Sequence, residues 1–129
     1  MQNTNINNYE EWYFQSNYDM ETAKSMYQSG RYIYCVFMCH LSLEKALKGL
    51  LIKVKNVFPP KTHNLTFLIE SLGIEFSEDD KKFLFSLNKV SVPTRYPESL
   101  SKLLEEFNST TTEEILITTE RIQQWIIKS

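Results

Sequence analysis

The chain has 129 residues, of which 42% are hydrophobic, and this length and composition suit one domain with a core of its own. Its net charge of −2 excludes a global positive field that would attract nucleic acids or membranes, although a local basic patch remains allowed. No apolar run approaches the roughly 20 residues needed to span a bilayer. We predict a flexible, Asn-rich N-terminus over residues 1–8 and a single domain over residues 9–129.

The first predicted helix covers residues 9–29 and is closed by Gly30, a residue typical of helix C-termini. It is rich in aromatic side chains, which more often fill a core than form a platform for nucleic-acid bases. These side chains are Tyr9, Trp12, Tyr13, Phe14, Tyr18 and Tyr27. Because only Gly30 and Arg31 separate this helix from the next, the two are expected to pack antiparallel, as in an up-and-down bundle.

Residues 32–57 predict a long central helix around which the others are organised. Its apolar face contains a row of three polar residues spaced four apart, His40, Glu44 and Lys48. One interpretation is a local ion pair, since Glu four residues before Lys stabilises a helix by a few tenths of a kcal/mol. The other is a polar seam, extended by Lys45, that serves a ligand or partner, because unpaired buried charges are costly.

The opposite face of the central helix carries small residues that would let another helix approach closely. These residues are Cys35, Ser42, Ala46 and Gly49. With apolar or small side chains on nearly every side, the helix is expected to have neighbours on more than one side, and we predict a homodimer. The cysteines at 35 and 39 have no CxxC spacing and no signal peptide is recognisable, so we expect a reduced, cytoplasmic protein.

Shorter helices are predicted after the central one. A third helix begins near Leu65 and ends at Gly73, and Ser77 with Asp80 resembles a capping box that opens a fourth. An irregular segment is expected beyond Asn88.

The last third of the sequence completes the predicted bundle. Pro97 is expected to start another short helix, and residues 113–128 to form a final helix that buries Trp125. The sequence therefore predicts an all-α, antiparallel up-and-down bundle of about five helices without strands.

Candidate binding residues are few. Pro93 and Pro97 bracket Arg95 and Tyr96, so this arginine is presented on a stiff loop where it could contact a phosphate, beside a ring that could stack on a base. The alternative is that Arg95 pairs with Glu44 or another helix carboxylate and that Tyr96 fills the end of the bundle. No phosphate loop and no metal-ligand spacing is present, so no metal or cofactor is expected.

Three sequence blocks in register resemble the HEPN domain: VFMCHLSLEKALKGLL, PPKTHNL and TRYPE. The resemblance covers essentially the whole chain, including an aromatic first helix and a last helix ending near a Trp. It implies a helical bundle of about five helices, usually a homodimer, that binds nucleotides or RNA. It also implies a minimal nucleotidyltransferase as partner, in a toxin–antitoxin-like pair.

One departure from the family bears on activity. Catalytic HEPN proteins resemble one another in an Arg followed after four to six residues by a His, and this sequence lacks that pair. The resemblance implies instead a binding role for Lys48, His63, Arg95 and Tyr96, with no catalytic residue assigned.

Two alternatives to a binding module stay open. One is a divergent, metal-independent ribonuclease in which His40 or His63 acts as general base beside Arg95. The other is a structural assembly partner whose polar seam only fixes helix register.

Overall fold

The computed structural model describes residues 8–91 and 100–129, and this part of the chain forms six α-helices and no strand. They are α1 (Tyr9–Gln28), α2 (Tyr32–Lys55), α3 (Leu65–Leu72), α4 (Glu78–Ser91), α5 (Leu100–Glu106) and α6 (Ser109–Ile127). The predicted all-α class is confirmed, with six helices in the described ranges instead of about five. No helix in these ranges is long and apolar enough to cross a membrane.

The central helix α2 contacts each of the other five helices. Its side chains from Ile33 to Ile52 supply much of the core, including Leu43, Leu47 and Leu50, which are fully buried. Most of the remaining core side chains come from α1, α3 and α6, which pack against different sides of α2. The prediction that α2 is the organising element is confirmed.

Local capping explains why several helices start and stop where the sequence predicted. The side chain of Asn64 accepts a hydrogen bond from the backbone N–H of Phe67 at 3.1 Å, and Ser77 accepts one from Asp80 at 3.1 Å. Gly30 and Gly73 end α1 and α3 with φ of 78° and 66°, a conformation that favours glycine. The end of α1 before Gly30 confirms the predicted short link between α1 and α2.

Three predicted boundaries were wrong. The last helix begins at Ser109 and not at Glu113, because Asn108 caps it by accepting a hydrogen bond from Thr111 N–H at 2.9 Å. Helix α4 continues past Asn88 to Ser91, and α2 ends at Lys55, where Asn56 turns left-handed with φ 52°. The predicted helix start at Pro97 lies outside the described residues.

Some aromatic side chains predicted to fill the core are exposed. Phe14 and Tyr18 are 65% and 68% exposed, because they lie on the side of α1 turned away from α2. Trp125 is 44% exposed and packs edge-on against Phe76, with ring centroids 5.1 Å apart. Tyr13 does reach the core, where burial, with a smaller contribution from Tyr9, raises its pKa to about 12.

Candidate functional site

A charged group of side chains lies on one side of α2, which we name the Glu44 cluster (His40, Glu44, Lys48 and His63). The Glu44 carboxylate is buried and accepts a hydrogen bond from Lys48 Nζ at 3.0 Å. The Nδ1 atom of His63 lies 3.0 Å from both carboxylate oxygens. Glu44 is therefore the common partner of two basic side chains, one from its own helix and one from the loop before α3.

His40 is the deepest member of the cluster. Its side chain is 1% exposed, and its Nδ1 atom lies 3.9 Å from Glu44 Oε1, beyond hydrogen-bond distance. Burial lowers the pKa of His40, while Glu44 and a hydrogen bond with Asn88 partly offset that effect. The ring is therefore held inside the protein in a position that favours its neutral form.

His63 is the exposed member of the cluster. It follows Pro59 and Pro60, which keep this connection out of helical geometry, and its side chain is 64% exposed. Because Nδ1 faces Glu44, Nε2 is the ring nitrogen that remains for an external group. The cluster is thus buried at His40 and opens to solvent at His63.

Lys48 is a buried member of the cluster. Its side chain is 8% exposed, and its Nζ atom lies 5.8 Å from the centroid of the Trp12 ring while bonding to Glu44. The ammonium group is therefore held between an acid and the face of an aromatic ring, one turn of α2 beyond Glu44.

Three other predicted members lie elsewhere or beyond the described ranges. Lys45 points to α1, where it pairs with Asp19 at 2.9 Å, so it is not part of the Glu44 cluster. Arg95 and Tyr96 lie outside the described residues, and so does the predicted pairing of Arg95 with Glu44. Within the described residues, the groups nearest the Glu44 carboxylate are Lys48, His63 and His40.

The small-residue face of α2 is occupied by α1 of the same chain, as predicted. A Cβ atom on Gly49 would lie 2.6 Å from Tyr13 Cε1, so only glycine permits this helix approach. Nearby, Ser16 Oγ donates to the Ser42 carbonyl at 2.7 Å and Ser42 Oγ donates to the Ser16 carbonyl at 2.9 Å. We call this group, completed by Gln123, the Ser16 network, because Gln123 Nε2 donates to Ser16 Oγ at 3.0 Å.

Sequence reasoning missed a second set of contacts beside the Glu44 cluster. Lys53 Nζ lies 5.6 Å from the Tyr9 ring centroid, so Tyr9 and Trp12, three residues apart on α1, each contact a lysine of α2. One sequence signal could have indicated this basic surface. From Lys45 to Ile69 the chain has five lysines and His63 but no Asp or Glu, although the whole chain is slightly acidic.

An all-helical bundle around one long helix, with a charged cluster at its side, defines the structural class of this protein. A family model described as the HEPN domain matches residues 9–129, so the chain belongs to the HEPN family. The resemblance derived from the three sequence blocks is thereby confirmed.

Two solved structures share the fold. TT1696 from Thermus thermophilus is 22% identical, with a TM-score of 0.81 over 95% of this chain and 98% of that one. ST0689, an archaeal HEPN homologue, is 24% identical, with a TM-score of 0.72 over 92% of this chain and 93% of that one. A comparison with curated proteins found no match. At these identities the two structures support the fold and do not by themselves assign an activity.

Proposed function

We propose that this protein is a HEPN module that binds the phosphate of a nucleotide or of RNA at the Glu44 cluster. Lys48, His63, Arg95 and Tyr96 are the proposed contacts, of which Arg95 and Tyr96 lie outside the described residues. The observation that carries the proposal is a buried set of charges that opens to solvent at a single exposed histidine, His63.

The energetics of the cluster support a binding role. A buried ion pair is often no more stabilising than apolar side chains of the same volume, because desolvation cancels much of the attraction. The Lys48–Glu44 pair therefore stabilises the fold little more than two apolar residues would. Perturbed or buried charges grouped beside an opening are candidates for a functional site.

Binding can be tested with substitutions that leave the core intact. We expect Arg95→Gln and His63→Gln each to weaken nucleotide or RNA binding about tenfold, since each removes a charged or polar phosphate contact. Fluorescence anisotropy with a labelled RNA and competition by a nucleotide, at one fixed salt concentration, would measure this. Lys89→Gln on α4 is the control, and equal losses in all three variants would contradict the proposal.

We also propose that the protein forms a homodimer. An apolar stripe on α2, made of Tyr34 and Leu41, is not fully covered by the described residues, and Tyr34 is 53% exposed. Light scattering at tens of micromolar should show a dimer, and Tyr34→Glu should shift it toward a monomer. Tyr18→Glu is the matched control, because this tyrosine is also accessible, on α1. A monomeric wild-type protein would refute the homodimer.

The proposed partner is a minimal nucleotidyltransferase, in a cytoplasmic toxin–antitoxin-like pair. The family membership supports this assignment, and the two free, buried cysteines suit a reducing compartment. Co-expression with a small nucleotidyltransferase from the adjacent reading frame should give a complex that co-purifies and should change the effect of this protein on growth. Independent migration of the two proteins and unchanged growth would contradict the pairing.

A metal-independent ribonuclease is the second candidate function. The observation that favours it is the contact between the Glu44 carboxylate and His63 Nδ1. In enzymes with a histidine base, a carboxylate in this position orients the ring. His40 is too deeply buried to contact a substrate, so His63 is the histidine assigned to this role. RNA cleavage that persists in chelator and is lost in His63→Gln would support this candidate, and its absence in wild type would exclude it.

A further inference from the structure

A continuous set of aromatic and basic side chains runs from the Glu44 cluster to the end of the bundle where α1 begins and α2 ends. We name Lys48, Trp12, Tyr9 and Lys53 the aromatic track. Lys48 Nζ lies 5.8 Å from the Trp12 ring, and Lys53 Nζ lies 5.6 Å from the Tyr9 ring. Trp12 and Tyr9 are about one helical turn apart on α1, so the two lysine–ring pairs are neighbours along the helix.

The access of Tyr9, Trp12 and Lys53 to solvent sets the track apart from core packing, whereas Lys48 is buried. Tyr9 and Trp12 are only partly buried, and Lys53 is exposed, with its Nζ atom donating to the carbonyl of Ser129 at 3.2 Å. The neighbouring ring of Tyr13, which packs edge-on against Tyr9 at 5.5 Å between centroids, is buried and holds Tyr9 in place. A ligand at this end of the bundle would therefore meet rings whose positions are already fixed.

The local charge at the track is positive. Lys48, Lys53, Lys55 and Lys61 fall in a stretch without acidic residues, and Phe58 in the same stretch is 66% exposed. The nearest acids along α1, Glu10 and Glu11, lie in its first turn, where they complement the helix N-terminus. Lys48 is paired with Glu44, so the positive charge of this stretch comes from Lys53, Lys55 and Lys61, which favours a polyanion here although the whole chain is acidic.

Aromatic rings beside lysines are the means by which proteins hold single-stranded nucleic acid, with rings stacking on bases and lysines contacting phosphates. We propose that the aromatic track binds a single strand leaving the Glu44 cluster, so that the ligand is a strand of several nucleotides and not one nucleotide. This inference rests on the proposed function, because the Glu44 cluster anchors the first phosphate and the track receives the following bases.

The experiment uses the fluorescence of Trp12 itself. The chain has two tryptophans, Trp12 and Trp125, and Trp125→Phe leaves Trp12 as the reporter. Uridine monophosphate and a ten-nucleotide oligouridine RNA are titrated into this variant. An oligothymidine DNA of the same length is titrated as well, to compare the binding of DNA with that of RNA. We expect the ten-nucleotide strands to quench Trp12 and to bind at least about tenfold tighter than the mononucleotide.

Substitutions in the track should separate the two ligands. Tyr9→Leu and Lys53→Gln are expected to weaken binding of the ten-nucleotide RNA about fivefold to tenfold and to leave the mononucleotide unaffected. The control pair is Phe85→Leu and Lys89→Gln on α4, where a lysine also lies over an aromatic ring, at 4.7 Å. Neither control should change binding.

The failures of the two proposals are distinguishable. If the strand binds no tighter than the mononucleotide, or binds without quenching Trp12, the aromatic track is not a binding surface and the phosphate site stands. If neither ligand binds, the proposed function fails and this inference fails with it.

Discussion

Two polar groups lie on different faces of the same helix, α2, and they are built in different ways. The Ser16 network is neutral, fully buried and paired by reciprocal hydrogen bonds between α1 and α2, with Gln123 from α6 as the third partner. The Glu44 cluster is charged and reaches solvent through His63. The first satisfies its donors and acceptors within the bundle, whereas the second leaves part of a histidine ring available to an external group.

The difference matches a structural role for the Ser16 network and the proposed binding role for the Glu44 cluster. Neutral hydrogen bonds between helices contribute about 0.5–1.5 kcal/mol each and require no external partner. Buried charges are costly unless paired, and their net contribution to stability is small even when they are. A charged cluster that opens at one side is therefore what the proposed ligand site requires. The following substitutions test this distinction.

The largest expected effect is at Glu44. Glu44→Ala leaves the ammonium group of Lys48 buried and unpaired, which should lower the free energy of unfolding by about 3–5 kcal/mol. Urea denaturation followed by circular dichroism would measure it. The paired replacement Glu44→Leu with Lys48→Met should restore most of the stability while abolishing phosphate binding. A loss below about 1 kcal/mol in Glu44→Ala would show that the pair is effectively solvated.

The next largest effect on stability is expected at Gly49, where α1 approaches α2 closely. In Gly49→Ala the new methyl group would lie 2.6 Å from the buried Tyr13 ring, and overpacking of this kind lowers stability by about 1–3 kcal/mol. Adding Tyr13→Leu should recover part of the loss, as measured by thermal unfolding of both variants. Unchanged stability in the single variant would mean that α1 moves outward without cost.

A smaller effect is expected in the Ser16 network. Ser16→Ala removes one of the two acceptors of Gln123 Nε2, leaving Asn17 Oδ1, and one of the two reciprocal bonds to Ser42, which should lower stability by about 1–2 kcal/mol. Nucleotide and RNA binding should stay as in wild type. Ser25→Ala, on an exposed position of the same helix, is the control and should change stability by less than about 0.5 kcal/mol. Weakened binding in Ser16→Ala would contradict a purely structural role for the Ser16 network.

The pH dependence of stability gives the smallest expected effect. Burial lowers the pKa of His40 below its ordinary value of 6.5, so the unfolded chain binds this proton at a higher pH than the folded chain does. Stability should therefore be complete above pH 6.5 and fall as the pH drops toward the lowered pKa. The slope from one such group cannot exceed about 1.4 kcal/mol per pH unit. Chemical denaturation of wild type and His40→Gln should show a flatter profile in the variant, and parallel profiles would exclude His40 as the source.

Local signals in the sequence account for most of the fold that could be predicted. Caps at Asn64 and Ser77 and the glycines at 30 and 73 act within a few residues, so their effect can be read without the tertiary structure. The start of α6 was missed because Ser109 to Thr112 are poor helix formers by themselves. The cap at Asn108 and the neighbouring helices override that weak preference.

The candidate site was predictable only in part. The row of His40, Glu44 and Lys48 follows from helical periodicity, but periodicity cannot show which distant residue approaches Glu44. His63, which is 19 positions away in sequence, does so. The aromatic track was missed for the same reason, since it depends on the register of α1 against α2. The expectation that the aromatic residues of α1 fill the core holds for Tyr13 and not for Phe14.

The reciprocal bonds between Ser16 and Ser42 have a consequence for protein engineering. Each hydroxyl donates to the other residue's carbonyl, so a shift of α1 by one helical turn would break both bonds together. A chimera that takes its first helix from another HEPN protein must therefore import the matching residues at positions 42 and 123 as well. Without them the transplanted helix would lose part of what fixes its register, and Tyr9 and Trp12 could shift away from their lysines.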